Sequence, residues 1–344
     1  MADKEIITIF ASLKLITAMI QNAIKSRVVG IDISLNRTTY AIVDIRGYIL
    51  ARDSFVTKDY PNINDYVSTL SERIVTFVEA NGGYETIRSI GISAPSGCYL
   101  SGCIENSPNM PWKGIVPLAA MLRDRLGLAV ALANNAHVRA LGEHTFGIAH
   151  GMKNFVVVTI GHGLGSCLFS NGKTHEGFHG LGGEVGHTCI IPGGRQCGCG
   201  NRGCLEAYCA AKGIVQTARE LMAQSDVPTK MRDVAELTPK EITEFCEEGD
   251  ELAIEVYRRT GYYLGWGLAN YASLTNPEAF VMTGGVLHAG HWLLDPARQS
   301  FEEHVFRNLK GKIQILTTVL DDMERDVLGA SVLAWRVQEY SLFK

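Results

Sequence analysis

The sequence predicts an α/β protein built from two related halves. A run of short β-branched strands followed by alternating strands and helices begins at Val28, and a similar run begins at Asn154. The length of 344 residues agrees with this, since domains average about 150 residues and the chain has room for two. Two such lobes are expected to enclose a cleft, where small ligands usually bind.

The first half is predicted to open with three consecutive strands. Arg46-Gly47 lies between the second and third of these strands and is typical of a hairpin turn. Helical periodicity then alternates with short apolar runs. In order, the predicted elements are strands over Val28–Ser34, Thr39–Ile45 and Tyr48–Val56, a helix over about 63–80, a strand over Ile87–Ala94, a helix over about 117–127, a strand over Ala129–Ala133 and a helix over about 136–145.

The second half begins with a strand that lacks polar alternation. Residues Asn154–Ile160 are nearly all apolar, as in a strand buried on both faces. Asn171-Gly172 predicts a hairpin turn, and Thr238 with Glu241 forms a capping box that starts a helix. The other predicted elements are a strand over Leu164–Ser170, helices over about 205–224, 239–248 and 251–272, strands over Ala279–Thr283 and Ile313–Leu320, and a closing helix over Val327–Tyr340.

Residues 4–27 precede the first strand and have the periodicity of an amphipathic helix. Lys14 interrupts the apolar core that a signal peptide needs, and no small-residue cleavage site follows it. A single helix of this length is expected to pack against its own domain or a dimer mate. The alternative is that Met19 is the start of the protein and the residues before it are an upstream read-through.

Composition and charge exclude several classes of function. Apolar residues make up 46% and charged residues 20% of the chain, the balance of a globular protein. The net charge of −4, from 32 basic and 36 acidic side chains, predicts no basic surface for nucleic acid or acidic membranes. No run reaches the roughly 18 apolar residues of a membrane span. The chain is expected to be cytoplasmic, with neither nucleic acid nor membrane as a partner.

The cysteines indicate a metal site. Their number, nine, is odd in a long chain, which argues against a secreted disulfide framework. Cys197, Cys199 and Cys204 fall within eight residues, and His187 lies ten residues before the first of them. Three thiolates and one imidazole complete a tetrahedron, which predicts structural zinc with no open position for catalysis. The alternative is a glycine-rich loop with buried free thiols.

Two glutamates flank the same segment. Glu184 comes three residues before His187, and Glu206 comes two residues after Cys204. A metal that fixes the loop would also fix both carboxylates, so a shared polar pocket is predicted. The alternative is that both are solvated surface acids.

The segment from Gly183 carries a family resemblance. Its letters G-E-V-G-H-T, followed by C-G-C-G-N-R-G-C-L-E-A-Y, resemble the signature of the ROK family (repressors, open reading frames and sugar kinases). Residues 106–114, N-S-P-N-M-P-W-K-G, resemble that family's N-x-P-N-L-P-W-K-G segment. Leu141-Gly142-Glu143 and Asn276-Pro277 also resemble family segments. The resemblance covers about residues 28–340 and is similar in detail to bacterial glucokinase-like members.

This resemblance implies the two-lobed, actin-like sugar kinase fold, with a ligand cleft between the lobes and the zinc loop in the C-terminal lobe. The helical extension would span residues 1–27. The N-terminal lobe would span 28–133 and be completed by a C-terminal helix over 325–344, while the C-terminal lobe would span 134–324. The resemblance places the structural zinc on the same four ligands that the spacing indicates.

The implied ligands are a hexose or amino-hexose and, in an active enzyme, ATP with magnesium. Carboxylates and amides suit a sugar because each binds two adjacent hydroxyls and penalises a missing one. The implied sugar-binding residues are Asn109, Asn134, Glu184, His187 and Glu206, and the implied nucleotide-binding residues are Asp32, Gly161, Gly163, Gly165, Gly284 and Gly285.

The position of the catalytic base departs from the family pattern. Where the family has N-D-A-N, this chain has N-N-A-H, which places Asn135 at the aspartate position. An amide cannot accept the hydroxyl proton at neutral pH, and a general base typically contributes about 100- to 10,000-fold in rate. His137 could be proposed as a substitute, but residues two apart on a helix point to different faces.

The phosphate loops depart as well. The family has D-x-G-G-T in the first loop, where this chain has D-I-S-L-N over residues 32–36. Asp32, the magnesium-side acid by resemblance, is retained, but Leu35 places a branched apolar side chain where phosphate would lie. The second loop, over 161–165, keeps its glycines but has His162 in place of the usual threonine. The alternative is that residues 161–165 form only a tight turn between two strands and bind no phosphate.

Three functions remain open from the sequence. The favoured one is a hexose-binding, glucokinase-like pseudokinase whose ATP-dependent phosphorylation is strongly impaired. The alternative is an active ATP-dependent kinase for glucose or an N-acetylhexosamine. A truncated repressor is less favoured, because a DNA-binding domain needs about 60–80 residues and only 27 precede the first strand. The resemblance also implies a homodimer or homotetramer.

Overall fold

The computed structural model describes residues 25–107 and 110–337. The predicted N-terminal helix, Asn109 and the end of the predicted closing helix lie outside the described residues. Across the described ranges, none of the helices combines the length and apolarity that crossing a membrane requires. Contacts divide the chain into two units, one over Met1–Thr145 with Asp321–Lys344 and the other over Phe146–Leu320.

Strands and α-helices alternate along most of the described chain. The strands are β1 (Arg27–Ile33), β2 (Thr38–Asp44), β3 (Ile49–Phe55), β4 (Ile87–Ala94), β5 (Gly97–Cys98), β6 (Cys103–Glu105), β7 (Ile115–Val116), β8 (Ala129–Asn134), β9 (Phe155–Ile160), β10 (Leu164–Ser170), β11 (Lys173–Thr174), β12 (Ala279–Thr283) and β13 (Gln314–Thr317). The helices are α1 (Ile63–Ala80), α2 (Leu118–Leu126), α3 (Asn135–Thr145), α4 (Glu206–Cys209), α5 (Ala211–Gln224), α6 (Pro239–Glu247), α7 (Glu251–Thr275), α8 (His291–His304) and α9 (Arg325–Arg336).

The first unit is built on a five-stranded sheet in the order β3-β2-β1-β4-β8. Strands β1 to β3 form an antiparallel meander, as expected for strands joined by short turns. Strands β4 and β8 add to it in parallel, because helices connect them. Helix α1 covers this sheet with an apolar stripe at helical spacing, since Tyr66, Leu70 and Ile74 are all fully buried.

The second unit contains a five-stranded sheet in the order β11-β10-β9-β12-β13. It too consists of a three-stranded antiparallel meander extended by two parallel strands. The predicted repeat of one strand pattern in the two halves is therefore confirmed at the level of sheet topology. Strand β9 lies in the middle of the sheet, and its lack of polar alternation reflects burial of five of its six residues.

Some predictions about elements need correction. Helix α8 was not predicted, because Pro296 lies inside it and proline normally ends a helical pattern. The predicted single helix over 205–224 is two helices, since Ala210 adopts an extended conformation between α4 and α5. The small sheet β5-β6-β7 was also not predicted, because its strands have only two or three residues.

Helix α9 lies on the first sheet at two glycines. A Cβ atom on Gly91 would come within 2.0 Å of the Ala330 carbonyl oxygen, and one on Gly30 within 2.2 Å of that of Val327. The Ser89 hydroxyl donates a hydrogen bond of 2.8 Å to the Ala334 carbonyl. The absence of side chains at both glycines therefore allows the helix to approach the sheet at backbone distance.

We expect Gly91→Ala to destabilise the protein by about 1–3 kcal/mol or more, because overpacking must push α9 off the sheet. Urea unfolding measures the effect. Gly161→Ala is the matched control, since a Cβ there meets no atom within 4 Å, its φ is not left-handed and it lies outside the metal loop. Equal stability of the two variants would contradict this account of the packing.

Candidate metal centre and sugar site

Four metal-binding side chains converge in the second unit. One ligand atom each from His187, Cys197, Cys199 and Cys204 lies within 4.8 Å of all the others. The Cys199 and Cys204 sulfurs are 3.7 Å apart, and the Cys197 sulfur is 3.7 Å from His187 Nδ1. This group of four, the Cys3His group, is the set that the sequence predicted as metal ligands.

The distances fit zinc. A tetrahedral ion with bonds of about 2.3 Å to sulfur has edges of about 3.8 Å between ligand atoms. The two 3.7 Å separations lie close to that edge length. Three sulfurs and one nitrogen are also the donor set of closed structural zinc sites. The Cys3His group could therefore bind a metal as it stands.

The backbone of the loop is held by its own hydrogen bonds and by one arginine. Cys197 N–H donates to the Asn201 carbonyl at 2.9 Å, and Gly203 N–H donates to the Arg195 carbonyl at 2.8 Å. The Arg195 guanidinium lies 2.6 Å from a Glu220 carboxylate oxygen and 4.7 Å from the centre of the Tyr208 ring. These contacts connect the loop to α5, so the ligand positions are organised by protein contacts as well.

Glu206, a predicted sugar ligand, lies between the metal loop and the second phosphate loop. Its Oε2 accepts a hydrogen bond of 2.9 Å from Leu164 N–H, and its Oε1 is 3.6 Å from the Cys197 sulfur. A Cβ atom on Gly163 would lie 2.7 Å from Oε2. The glycine therefore leaves room for the carboxylate in its observed position against this loop, which the sequence had indicated only as a phosphate-binding motif.

Glu184 is positioned by a short segment after Gly183, which has a φ of +91°. The Ser166 hydroxyl of β10 donates to the Gly183 carbonyl and accepts a hydrogen bond from Val185 N–H. A single 3-10 turn over Val185–His187 then leads to the metal ligand. Glu184 and His187 therefore belong to the same turn, closed by the hydrogen bond from His187 N–H to the Glu184 carbonyl.

Asn134 and Asn135 lie at the junction of β8 and α3 in the first unit. The Asn134 side-chain oxygen accepts a hydrogen bond of 2.9 Å from Ala136 N–H, as an N-terminal helix cap does. Asn135 is the first residue of α3. His137 is buried, with 6% of its surface exposed. The remaining predicted sugar ligand of this unit, Asn109, lies outside the described residues.

Asp32 belongs to a network of charged groups in the first unit. Arg139 on α3 makes a bidentate ion pair with Asp326 on α9, with distances of 2.6 and 2.8 Å. Asp32 Oδ1 is buried and has no hydrogen-bond partner among the described residues. Burial, followed by the Asp326 charge, raises the pKa of Asp32 to about 7, although Arg139 and Arg325 oppose the shift.

The first phosphate loop is closed by its own hydrogen bonds. Ser34 N–H donates to the Arg37 carbonyl at 2.9 Å, and Arg37 N–H donates to the Ser34 hydroxyl at 3.2 Å. No residue from 34 to 37 has a positive φ. Leu35 lies at the tip with 43% of its surface exposed. Two amides that a phosphate loop would offer to an anion are therefore already bonded within the turn.

The second phosphate loop is a tight turn between β9 and β10. Gly161 N–H donates to the Gly163 carbonyl, and the Gly161 carbonyl accepts from Ala211 N–H, both at 2.9 Å. Gly165 is the second residue of β10. In the same sheet, Gly284 follows β12 with a φ of +104°, and a Cβ there would lie 2.3 Å from the Ile160 carbonyl oxygen.

A cavity of about 640 Å³ lies beside this turn in the second unit. His162, Lys212 and Arg219 line it, and the Lys212 and Arg219 side chains carry the positive charges that a phosphate chain needs. Gly285 lines a second cavity of about 360 Å³, and Pro239 borders both cavities. Sequence reasoning missed Lys212 and Arg219 because they follow no motif. Their only signal is the i, i+7 spacing that puts them on one face of α5.

Comparisons with known proteins show the family of this chain. A family model described as the ROK family matches residues 28–337. A glucokinase of Halalkalibacterium halodurans is 34% identical over 260 residues, which cover 74% of this chain and 78% of the relative. A ROK family glucokinase from Streptomyces griseus, solved in complex with glucose and AMPPNP, has a TM-score of 0.71 at 29% identity over 90% of this chain and 100% of that one.

A transcriptional regulator is also similar in structure. It is a ROK family protein described as a homolog of the E. coli MLC protein, with a TM-score of 0.78 at 25% identity over 89% of this chain and 77% of that one. The mixed α/β fold is thus the fold of ROK sugar kinases and regulators. The chain belongs to the ROK family, and glucokinases are among its homologues.

We expect the purified protein to contain close to one zinc per chain by elemental analysis. A strong chelator should remove it and destabilise the fold, by about 4 kcal/mol where free zinc had been a thousandfold above its dissociation constant. The protein should regain its melting temperature when zinc is restored. A metal-free protein of unchanged stability would contradict the metal assignment.

Asp32→Asn should change how stability depends on pH. Because folding raises the pKa of this carboxyl to about 7, its contribution to stability is present at acid pH and is lost as pH rises through 7. The neutral amide removes that loss, so the variant should gain stability relative to the wild type at pH 8 more than at pH 5. Urea unfolding at the two pH values measures the difference, and an equal difference at both would contradict the assignment.

Proposed function

We propose that this ROK protein binds a hexose or amino-hexose and that its ATP-dependent phosphorylation of the sugar is strongly impaired. In this proposal the two units are the lobes of the actin-like sugar kinase fold, and the Cys3His group holds a structural zinc ion. The hexose is recognised by Asn109, Asn134, Glu184, His187 and Glu206.

Sugar binding is supported by the organisation of the acidic side chains around the metal loop. Glu206 has one carboxylate oxygen bonded to Leu164 N–H and the other close to the Cys197 sulfur, so its orientation is fixed before a ligand arrives. Preorganised carboxylates bind adjacent hydroxyls at a low cost in side-chain entropy. The Streptomyces griseus relative was solved with glucose, and we extend that ligand class to this chain.

The impairment of catalysis is supported by two independent features of the first unit. Asn135 supplies an amide where a general base would have to accept the proton of the attacking hydroxyl, and that loss costs about 100- to 10,000-fold in rate. The turn over residues 34–37 uses its own amides and therefore offers little to a nucleotide phosphate. The single observation that carries the proposal is the closure of this turn by the Ser34–Arg37 hydrogen bonds.

A sugar-responsive regulatory role is the second candidate. The ROK transcriptional regulator matches this chain with a TM-score of 0.78. A protein that binds a sugar without converting it keeps its ligand and can report the ligand's concentration, which suits a sensor or a regulatory subunit. Assembly as a homodimer or homotetramer belongs to the same proposal. The alternative is an active hexose kinase that binds Mg-ATP at Asp32 and at the glycines of the second loop. The following experiment distinguishes this alternative from the impaired protein.

We expect calorimetry to detect hexose binding while almost no sugar phosphate forms from ATP and magnesium. Asn135→Asp alone should recover little activity, because the closed turn still lacks a phosphate cradle. Combining it with Ser34→Gly and Leu35→Gly should recover much more, since both defects are then addressed. Asn135→Gln is the matched control, because it changes the same position without adding a carboxylate.

Wild-type turnover at ordinary kinase rates of about 1–100 per second would contradict the proposed impairment. Hexose binding is measured separately on the same samples. A wild type that binds no hexose, despite a full complement of metal, would contradict the sugar-binding proposal itself.

A further inference from the structure

A fourth cysteine lies beside the Cys3His group and is not one of its members. Cys189 is exposed, whereas Cys204 is fully buried. The two residues form an antiparallel bridge and lie directly opposite each other. This arrangement was not predicted from the sequence, because the two cysteines are separated by fourteen intervening residues.

The bridge is of the type that brings two side chains close together. Ile190 N–H donates to the Gly203 carbonyl at 2.9 Å, and Leu205 N–H donates to the Thr188 carbonyl at 3.0 Å. The bonds therefore flank the cysteine pair, which is itself non-hydrogen-bonded. In such a pair the Cα atoms are about 4.5 Å apart and both side chains lie on the same face.

This separation suits a disulfide, since bridged cysteines have Cα atoms about 4.4 to 6.8 Å apart. The Cys189 sulfur is presently 3.6 Å from the Arg202 carbonyl oxygen, a weak contact for a thiol. Because the two Cα atoms are already at a separation that a disulfide allows, the bond can form by reorientation of the side chains.

We propose that Cys189 and Cys204 are a redox pair, in which a hydroperoxide oxidises the exposed thiol and the resulting disulfide withdraws Cys204 from the metal. The site's substrate class is therefore small hydroperoxides, with hydrogen peroxide the simplest member. This inference goes beyond the proposed function, because it needs neither a sugar nor a nucleotide.

The reaction balances in two steps. With hydrogen peroxide, the Cys189 sulfur attacks one oxygen and the O–O bond breaks, so that a sulfenic acid forms and the departing hydroxide takes up the thiol proton and leaves as water. The Cys204 sulfur then attacks the Cys189 sulfur, the S–O bond breaks, and the hydroxyl leaves as a second water after taking up a proton. Two thiols are oxidised by two electrons in total, and one peroxide is reduced.

The consequence is loss of the metal. With Cys204 in a disulfide, only His187, Cys197 and Cys199 remain as donors, and a closed structural site needs four. Glu206 lies two residues beyond Cys204, so its carboxylate loses the anchor that the metal loop provides. In a sugar-binding protein, oxidation would then weaken sugar binding, a consequence that rests on the proposed function.

A second cross-strand pair provides an internal control. Cys98 and Cys103 also lie opposite each other, between β5 and β6 of the first unit, and neither belongs to the Cys3His group. Oxidation of that pair would consume thiols without releasing metal. Cys98→Ser is therefore matched to Cys189→Ser, since each removes the more exposed member of a cross-strand pair.

The experiment treats the zinc-loaded full chain with hydrogen peroxide and records zinc release with a chromogenic chelator. Remaining thiols are then alkylated and the crosslinked peptides are mapped by mass spectrometry. We expect one zinc released for each Cys189–Cys204 crosslink, release at least about tenfold slower in Cys189→Ser, and unchanged release in Cys98→Ser. A thiol reductant followed by zinc should restore the metal content.

Equal rates of zinc release in the wild type and Cys189→Ser would overturn the proposal, as would a crosslink mapped within the Cys3His group. A metal-free sample is the second measurement, and its Cys189–Cys204 crosslink should form faster than in the loaded protein. Because neither readout involves a sugar, failure here leaves the proposed sugar binding untouched, and the reverse also holds.

Discussion

The convergence of one imidazole and three thiols is the interaction on which the site of the second unit depends. The ligand atoms lie within 4.8 Å of one another, and a metal among them would add to the backbone and side-chain hydrogen bonds that already hold these turns. His187 lies at the end of the turn that carries Glu184, and Cys204 is two residues from Glu206. In the proposed function, a structural metal would act on sugar binding through the positions of these two carboxylates.

The first unit depends on charge in a different way. The Arg139–Asp326 ion pair joins α3, which begins at Asn135, to α9, which lies on the sheet at backbone distance. Asp32 lies in the field of this pair, and burial together with Asp326 raises its pKa to about 7. The proposal that phosphoryl transfer is impaired rests on this unit, where the self-bonded turn follows Asp32 and Asn135 stands at the predicted base position.

Local patterns made much of this predictable. Strand β4 and helix α1 have the predicted bounds because a short apolar run and a helical stripe of apolar residues are local patterns. The spacing of three cysteines, with His187 ten residues upstream, was enough to identify the Cys3His group. Features that depend on tertiary contact were not predictable. Arg139 and Asp326 are 187 residues apart in the sequence, so no local pattern relates them. The pairing of Cys189 with Cys204 depends on a backbone bridge that the sequence pattern does not predict. Helix α8 was missed because it contains Pro296, and a proline normally marks the end of a helical sequence pattern.

The central claim is that the metal positions the sugar-binding carboxylates, and the most direct test compares hexose binding at different metal contents. Calorimetric titration of a hexose into samples with increasing zinc occupancy, each checked for folded structure by circular dichroism, measures this coupling. The account predicts that the number of hexose sites per chain rises in proportion to zinc. A folded, metal-free protein that binds the hexose with unchanged affinity and stoichiometry would contradict it.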